Sequence, residues 1–297
     1  MFVVDTAPAD ESNWNIVATD RSAGDGSWSV TVPNADAKRY HAVAQFEESG
    51  TLKNALSKPF LTSQPFAQAG VVSVDFDVLS PAVSVGSAIP DSGLLQGRYD
   101  ATELSLNDGD SVTTWTDETG NGNDLTEGTA PTFQTGVING NPVVRFDGSN
   151  QFLNVLYNSS ISTPIEVYAV FQLRTAGETN AYLYDGSTQN EKVFRQTGEG
   201  NWEVRISGDA AVGSPTDTNA HIMGGLYGDS EHVFRLDGAQ DASVTTTGGT
   251  ADGFTTGADG SDGNFAPVDF GEILVYDGSP TTADVESYLS DKWGIAI

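Results

Sequence analysis

Apolar and polar residues alternate with a period of two along most of this chain, and a single stretch near the end departs from that rhythm. The alternation is clearest at Ile165, Val167, Ala169, Phe171 and Leu173, which share one face of an extended segment. The opposite face, with Tyr168 and Val170 among Glu166 and Gln172, is half apolar, so this strand is expected to be central. Val193 to Gln196 and Trp202 to Ile206 flank Thr197 to Asn201, the pattern of a hairpin. Glu231 to Leu236 reads as another strand, ending at the turn Asp237-Gly238. Nearer the start, Trp28, Val30 and Val32 lie on one face, a turn follows at Pro33, and Arg39 to Phe46 returns. Val72, Val74, Phe76 and Val78 give a third strand there. The departure is Thr281 to Trp293: Val285, Tyr288, Leu289 and Trp293 make an apolar stripe at helical spacing. Thr281 is placed to cap the helix and Gly294 to stop it.

These elements sort into two domains. Residues 1–80 read as a small β module. Residues 81–96, rich in Ser, Pro, Gly and Ala, read as a linker, and 97–297 as a large sandwich of short strands separated by Gly, Asn and Asp. From Ala239 to Asp262 the chain is almost all Thr, Gly, Ala, Asp and Ser. Such a stretch is expected to form a surface loop or weak edge strands.

Charge narrows the function. Among 297 residues, 41 acidic and 13 basic side chains leave 41 − 13 = 28 net negative charges, dispersed rather than blocked. Nucleic acid and anionic membranes need a basic partner surface, so neither is an expected ligand. Dispersed acidity with few lysines suits concentrated salt, where screening acts over ~3 Å at 1 M. It implies a halophilic, haloarchaeal source, or else an acidic surface protein of ordinary salinity. With no cysteine, thiol catalysis and disulfides are excluded. No apolar run is long enough to span a membrane, and the first residues carry no readable export signal. A virion component, which leaves when its host lyses, would need none.

Candidate chemistry is sparse. Paired acids on one strand face, as glycoside hydrolysis requires, are not evident; Glu203 with Asp209 and Glu272 with Asp277 come nearest. His41, His221 and His232 are dispersed and form no known phrase. Sugars pack their C–H faces on aromatic rings, which makes Trp115, Tyr184, Trp202 and Tyr227 ligand candidates. In a sandwich such rings equally belong to the core. Arg195 and Arg205 lie on facing strands of one hairpin and are candidates to clamp an acidic sugar; an ion pair of Arg195 with Glu203 is the competing expectation.

Three phrases carry a family resemblance: YDA at Tyr99 to Ala101, WTDETGNGND at Trp115 to Asp124, and VVRFDG at Val143 to Gly148. With the close GEILVYD at Gly271 to Asp277 and Trp293-Gly294 after the helix, the chain resembles the LamG-like, concanavalin A-like jelly rolls over residues 97–297. The first module resembles bacterial immunoglobulin-like domains. The resemblance implies an all-β chain, an immunoglobulin-like sandwich followed by a jelly roll with one short C-terminal helix. It also implies a structural calcium near Asn121, Asn123, Asp124, Asp147 and Glu272. The expected role is a non-enzymatic virion surface protein, a turret, spike or tail fibre, recognising host-surface glycan or glycoprotein. The alternatives are a decoration protein without ligand, or an adhesin. The expected partners are copies of itself about a three-fold or five-fold axis and other virion proteins.

Overall fold

The computed structural model describes residues 89–297 apart from 189–192 and 207, and, within the first 88 residues, the backbone of five strands. The chain divides into two units, Met1–Ser87 and Ala88–Ile297. In the first unit, β1 (Phe2–Val4), β2 (Ile16–Thr19), β3 (Arg39–Glu48) and β4 (Thr51–Leu56) form an antiparallel sheet in the order β2-β1-β3-β4. A short β5 (Phe60–Leu61) also pairs with β3. The strand expected at Arg39 to Phe46 is β3; those expected around Trp28 and at Val72 to Val78 lie outside the described residues.

The second unit is an all-β sandwich closed by one helix. Its first sheet contains β6 (Leu95–Asp100), β9 (Thr132–Ile138), β10 (Asn141–Arg145), β12 (Ile165–Leu173), β17 (Ala220–Tyr227), β18 (Glu231–Leu236), β19 (Ala239–Thr245) and β21 (Val268–Asp277). They run in the order β19-β18-β17-β12-β21-β10-β9, with β6 beside the second half of β21. The second sheet contains β7 (Thr114–Trp115), β8 (Leu125–Thr129), β11 (Phe152–Ser162), β13 (Tyr182–Asp185), β14 (Val193–Gln196), β15 (Asn201–Ile206), β16 (Asp209–Pro215) and β20 (Thr250–Thr256). Its order is β16-β15-β14-β13-β20-β11-β8-β7.

The alternation explains the layers. Val167, Ala169 and Phe171 of β12 meet Phe194, Trp202 and Phe254 of the opposite sheet in one core. As expected, β12 is central, paired along its length with β17 and β21. The other face of the first sheet, with Tyr168, Val170, Leu274 and Tyr276, packs on α1 (Thr282–Trp293) through Val285, Tyr288, Leu289 and Trp293. Gly294 ends the helix at φ 65°, a left-handed conformation that costs glycine little. The sandwich reaches back before residue 97: Pro90 O accepts from Tyr276 OH at 3.0 Å, and Asp91 Oδ2 from Thr281 N at 2.7 Å.

One expectation is corrected. The small-residue stretch from Ala239 yields an exposed edge strand, β19, but then β20, which is central in the second sheet between β13 and β11. Small size is what lets it sit there. A Cβ on Gly253 would come within 2.2 Å of Val155 O.

Candidate functional site

On the outer face of the second sheet, β13, β14 and β15 bring a row of polar side chains together. In the β14–β15 hairpin, Phe194, Trp202 and Val204 turn inward, and period-two alternation turns Arg195, Glu203 and Arg205 outward. The register sets Arg195 directly opposite Glu203. The Arg195 Nε donates to Glu203 Oε1 at 2.8 Å, and its Nη1 donates to Asn180 Oδ1 at 2.9 Å and Tyr182 OH at 3.2 Å. Its guanidinium carbon lies 5.2 Å from the Tyr182 ring centroid, within cation–π range. Arg205 Nη1 approaches the same Glu203 oxygen at 3.5 Å. Two cations thus share one carboxylate. The side chains of Arg195, Arg205 and Glu203 are 13%, 20% and 7% exposed.

An acidic loop borders this row. Asn264 O accepts from Tyr182 N at 2.8 Å. Within the loop, Asp259 Oδ1 accepts from Ser261 N, Ser261 Oγ and Gly263 N, while Oδ2 accepts from Asn264 Nδ2 at 2.6 Å. Asp185, fully buried, accepts from Gly186 N and Gly260 N. Burial raises the Tyr182 phenol pKa, Arg195 and Arg205 pull it down, and Asp185 and Asp259 push it up again. The face therefore offers guanidinium donors, carboxylate and amide acceptors, and a neutral phenol side by side. That mix suits a polyol, whose hydroxyls donate and accept at once.

Of the ligand candidates, Arg195 and Arg205 stand on this face. Trp115, Tyr184, Trp202 and Tyr227 do not: all four are fully buried in the core, which corrects their candidacy. Tyr184 and Tyr227 share a hydroxyl–hydroxyl bond of 2.9 Å, and Tyr227 OH donates to Val193 O. Trp202 lies edge-on to Phe171 at 5.3 Å. The indole Nε1 atoms of Trp115 and Trp202 have no hydrogen-bond partner among the described residues. Trp202 occupies the apolar phase of its strand, and a register shift after Tyr182 turns Tyr184 to the same inner side.

The calcium candidates are parted. Asn121 and Asn123 donate their amides to Leu95 O and Gln96 O of β6, at 2.8 and 2.7 Å. Asp124 Oδ1 accepts from Asp117 N, Asp147 Oδ1 from Ser149 N in its own turn, and Glu272 lies buried beside α1. Among the described residues, no group of three or more His, Cys, Asp or Glu side chains is arranged to hold a metal. The hub of the first loop is Asp117, within the phrase WTDETGNGND. Its carboxylate accepts from Arg98 N, Thr119 N, Thr119 Oγ1 and Asn123 N.

The acid pairs considered for hydrolysis are placed in structural roles. Glu203 is held by the arginines and Asp209 accepts from Thr246 Oγ1. Glu272 accepts from Arg98 Nε, Tyr288 OH, Lys292 Nζ and Trp293 Nε1, while Asp277 is exposed at the end of β21. His232 is fully buried. His221 joins a constellation not foreseen, with Asp217 and Asp237 on its two ring nitrogens.

No protein-family model matches the sequence, and comparison with curated sequences gives no match. Solved structures do share the fold. A Trypanosoma rangeli sialidase in complex with a difluoro-KDN matches with TM-score 0.52 and 11% identity, over 86% of this chain and 44% of that one. A GH54 α-L-arabinofuranosidase matches with TM-score 0.50 and 14% identity, over 61% of this chain and 51% of that one. Domain 4 of AbnA, a GH43 extracellular arabinanase from Geobacillus stearothermophilus, solved with arabinotriose, matches with TM-score 0.50 and 16% identity, over 65% of this chain and 97% of that domain. The chain thus spans about half the length of the first two. At these identities the likeness defines a class by fold alone, an all-β sandwich shared with carbohydrate-active proteins. It overturns the expectation that the chain is not an enzyme. Glycoside hydrolases are among the proteins that contain this fold, so that expectation is withdrawn.

Proposed function

We propose that the C-terminal sandwich is a carbohydrate-recognition unit of the LamG-like kind, taking a glycan on the outer face of β13, β14 and β15. The observation that carries this is the row of Arg195, Glu203 and Arg205, braced by Asn180 and Tyr182. Pre-positioned planar donors and acceptors lose little entropy when hydroxyls replace water. The arabinotriose bound to the arabinanase domain of the same fold supports a sugar as ligand. The setting we propose is the outer surface of a virion or cell in salt-rich medium, with a host or extracellular glycan as partner; the 28 net negative charges support it.

The test is titration of the full chain with arabinotriose, a sialylated trisaccharide and glycans released from cell envelopes, followed by calorimetry. Arg195→Met and Arg205→Met should each weaken the bound sugar at least about tenfold, or ~1.4 kcal/mol, with the melting temperature kept for Arg205→Met. Native affinity retained in both variants, or no binding to any glycan, would overturn the proposal. New reducing ends in the same mixtures would show that the bound glycan is also cut.

A further inference from the structure

The sequence contains one Asn-x-Ser/Thr triplet, Asn158-Ser159-Ser160, and the fold presents it as an acceptor. All three residues are exposed, between buried Tyr157 and Ile161. They lie where β11 bulges: Leu156 faces Gly253 of β20, yet Ile161 already faces Ala251, so the intervening residues exceed what the partner strand can pair. On its other side β11 pairs with β8 through Phe152 to Asn154, and beyond Asn154 that edge has no strand partner among the described residues. Many asparagines of this unit are bound in place. Asn107, Asn121, Asn123, Asn139, Asn180 and Asn264 each make a side-chain hydrogen bond. The Asn158 amide makes none among the described residues, nor do the hydroxyls of Ser159 and Ser160.

We propose that Asn158 is an N-glycosylation site, and that its sugar shields the open edge of β11. The donor is a lipid-linked oligosaccharide. The Asn158 Nδ2 forms a C–N bond to the anomeric carbon, the anomeric C–O bond breaks, the lipid phosphate leaves with that electron pair, and the amide gives up one proton. The hydroxyl two residues on, Ser160, completes the acceptor triplet. A bulky hydrophilic group here has a physical use. Leu156 is 74% exposed beside an unpaired edge, and such edges invite pairing with other chains unless charged, capped or covered.

The experiment weighs the tryptic peptide spanning residues 146–174, which contains the triplet, from the full chain purified from its native source. A sugar mass on that peptide, removed by an N-glycan amidase with conversion of Asn158 to aspartate, is the expected result. Ser160→Ala expressed in the same source should abolish it and Ser160→Thr should keep it, both at an exposed position that spares the fold. The sugar-free chain should also form larger assemblies than the glycosylated one. A peptide at its unmodified mass, or sugar retained in Ser160→Ala, would overturn the assignment; a sugar-free chain that assembles no further would overturn the shielding role.

Discussion

His221, the second residue of β17, has Nδ1 2.7 Å from Asp237 Oδ2 and Nε2 2.9 Å from Asp217 Oδ1. Two carboxylates on two ring nitrogens call for a proton on each, hence an imidazolium. Burial pulls the pKa down, but hydrogen bonds to Asp237 and Asp217 outweigh it and hold the group above its ordinary 6.5. Because the folded-state value is the higher one, the stabilisation is complete below pH 6.5 and is lost as pH rises through the folded-state pKa. Melting curves should therefore show a fall in stability that starts above pH 6.5 in the native chain and is absent in His221→Leu. Glu272 is the second residue on which much depends. Fully buried, it accepts from four donors on β6 and α1. Glu272→Ala leaves Arg98 and Lys292 with Asp100 as their remaining carboxylate and strands an indole N–H, and should cost about 3 kcal/mol in urea unfolding, the lower end for a broken buried pair. Some of this was legible in the sequence. Hairpin register alone predicts the Arg195–Glu203 pair, and it forms at 2.8 Å. The same alternation set Trp202 in phase with Val204 and Ile206, on the core side, so its burial was readable there. Tyr184 was not, because the register of β13 shifts between Tyr182 and Tyr184 and breaks the period.

At the scale of elements, α1 fastens onto β21 while the Asp117 loop fastens onto β6, the strand beside it. The helix seats because Gly271 has no side chain: a Cβ there would stand 2.6 Å from the Trp293 ring. Gly271→Ala forces that rigid indole or the whole helix to shift, and should cost about 1–3 kcal/mol by overpacking. Thermal unfolding of the variant checks it. The loop depends on Asp117, 5% exposed, whose carboxylate fixes three backbone N–H groups and one hydroxyl. Asp117→Ala should lose about 2–4 kcal/mol, since hydrogen bonds to a buried charge exceed neutral ones. Helix and loop were both legible, because each depends on local signals: a helical stripe with its stop glycine, and Asp, Asn and Gly packed into a turn. The strand β20 was not. Thr250 to Thr256 has little apolar patterning, and its central place follows from close approach between backbones that only its partners reveal.

At the scale of the whole molecule, the 28 net negative charges meet an unequal geometry. Many acids are committed to the fold. Asp108 Oδ1 caps the free N–H of Thr135 on β9 and Asp241 Oδ2 that of Ser214 on β16; Arg98 and Lys292 neutralise Asp100 and Glu272. Glu103, Glu118, Glu231, Asp252 and Asp291 are instead exposed, and their charge acts as repulsion across the surface. Added salt shortens the screening length from ~10 Å at 0.1 M to ~3 Å at 1 M. It should therefore weaken the surface repulsion strongly and the buried pairs little, so the net effect is stabilising. The melting temperature should climb by several degrees as sodium chloride is raised over that range. Changing Glu103, Glu231, Asp252 and Asp291 together to their amides should raise it at low salt and flatten the slope, which separates screening from a general effect on apolar burial. A melting temperature that stays level or falls with salt would mean that the dispersed acidity is no adaptation to brine, and with it the salt-rich setting proposed for this chain would lose its physical support.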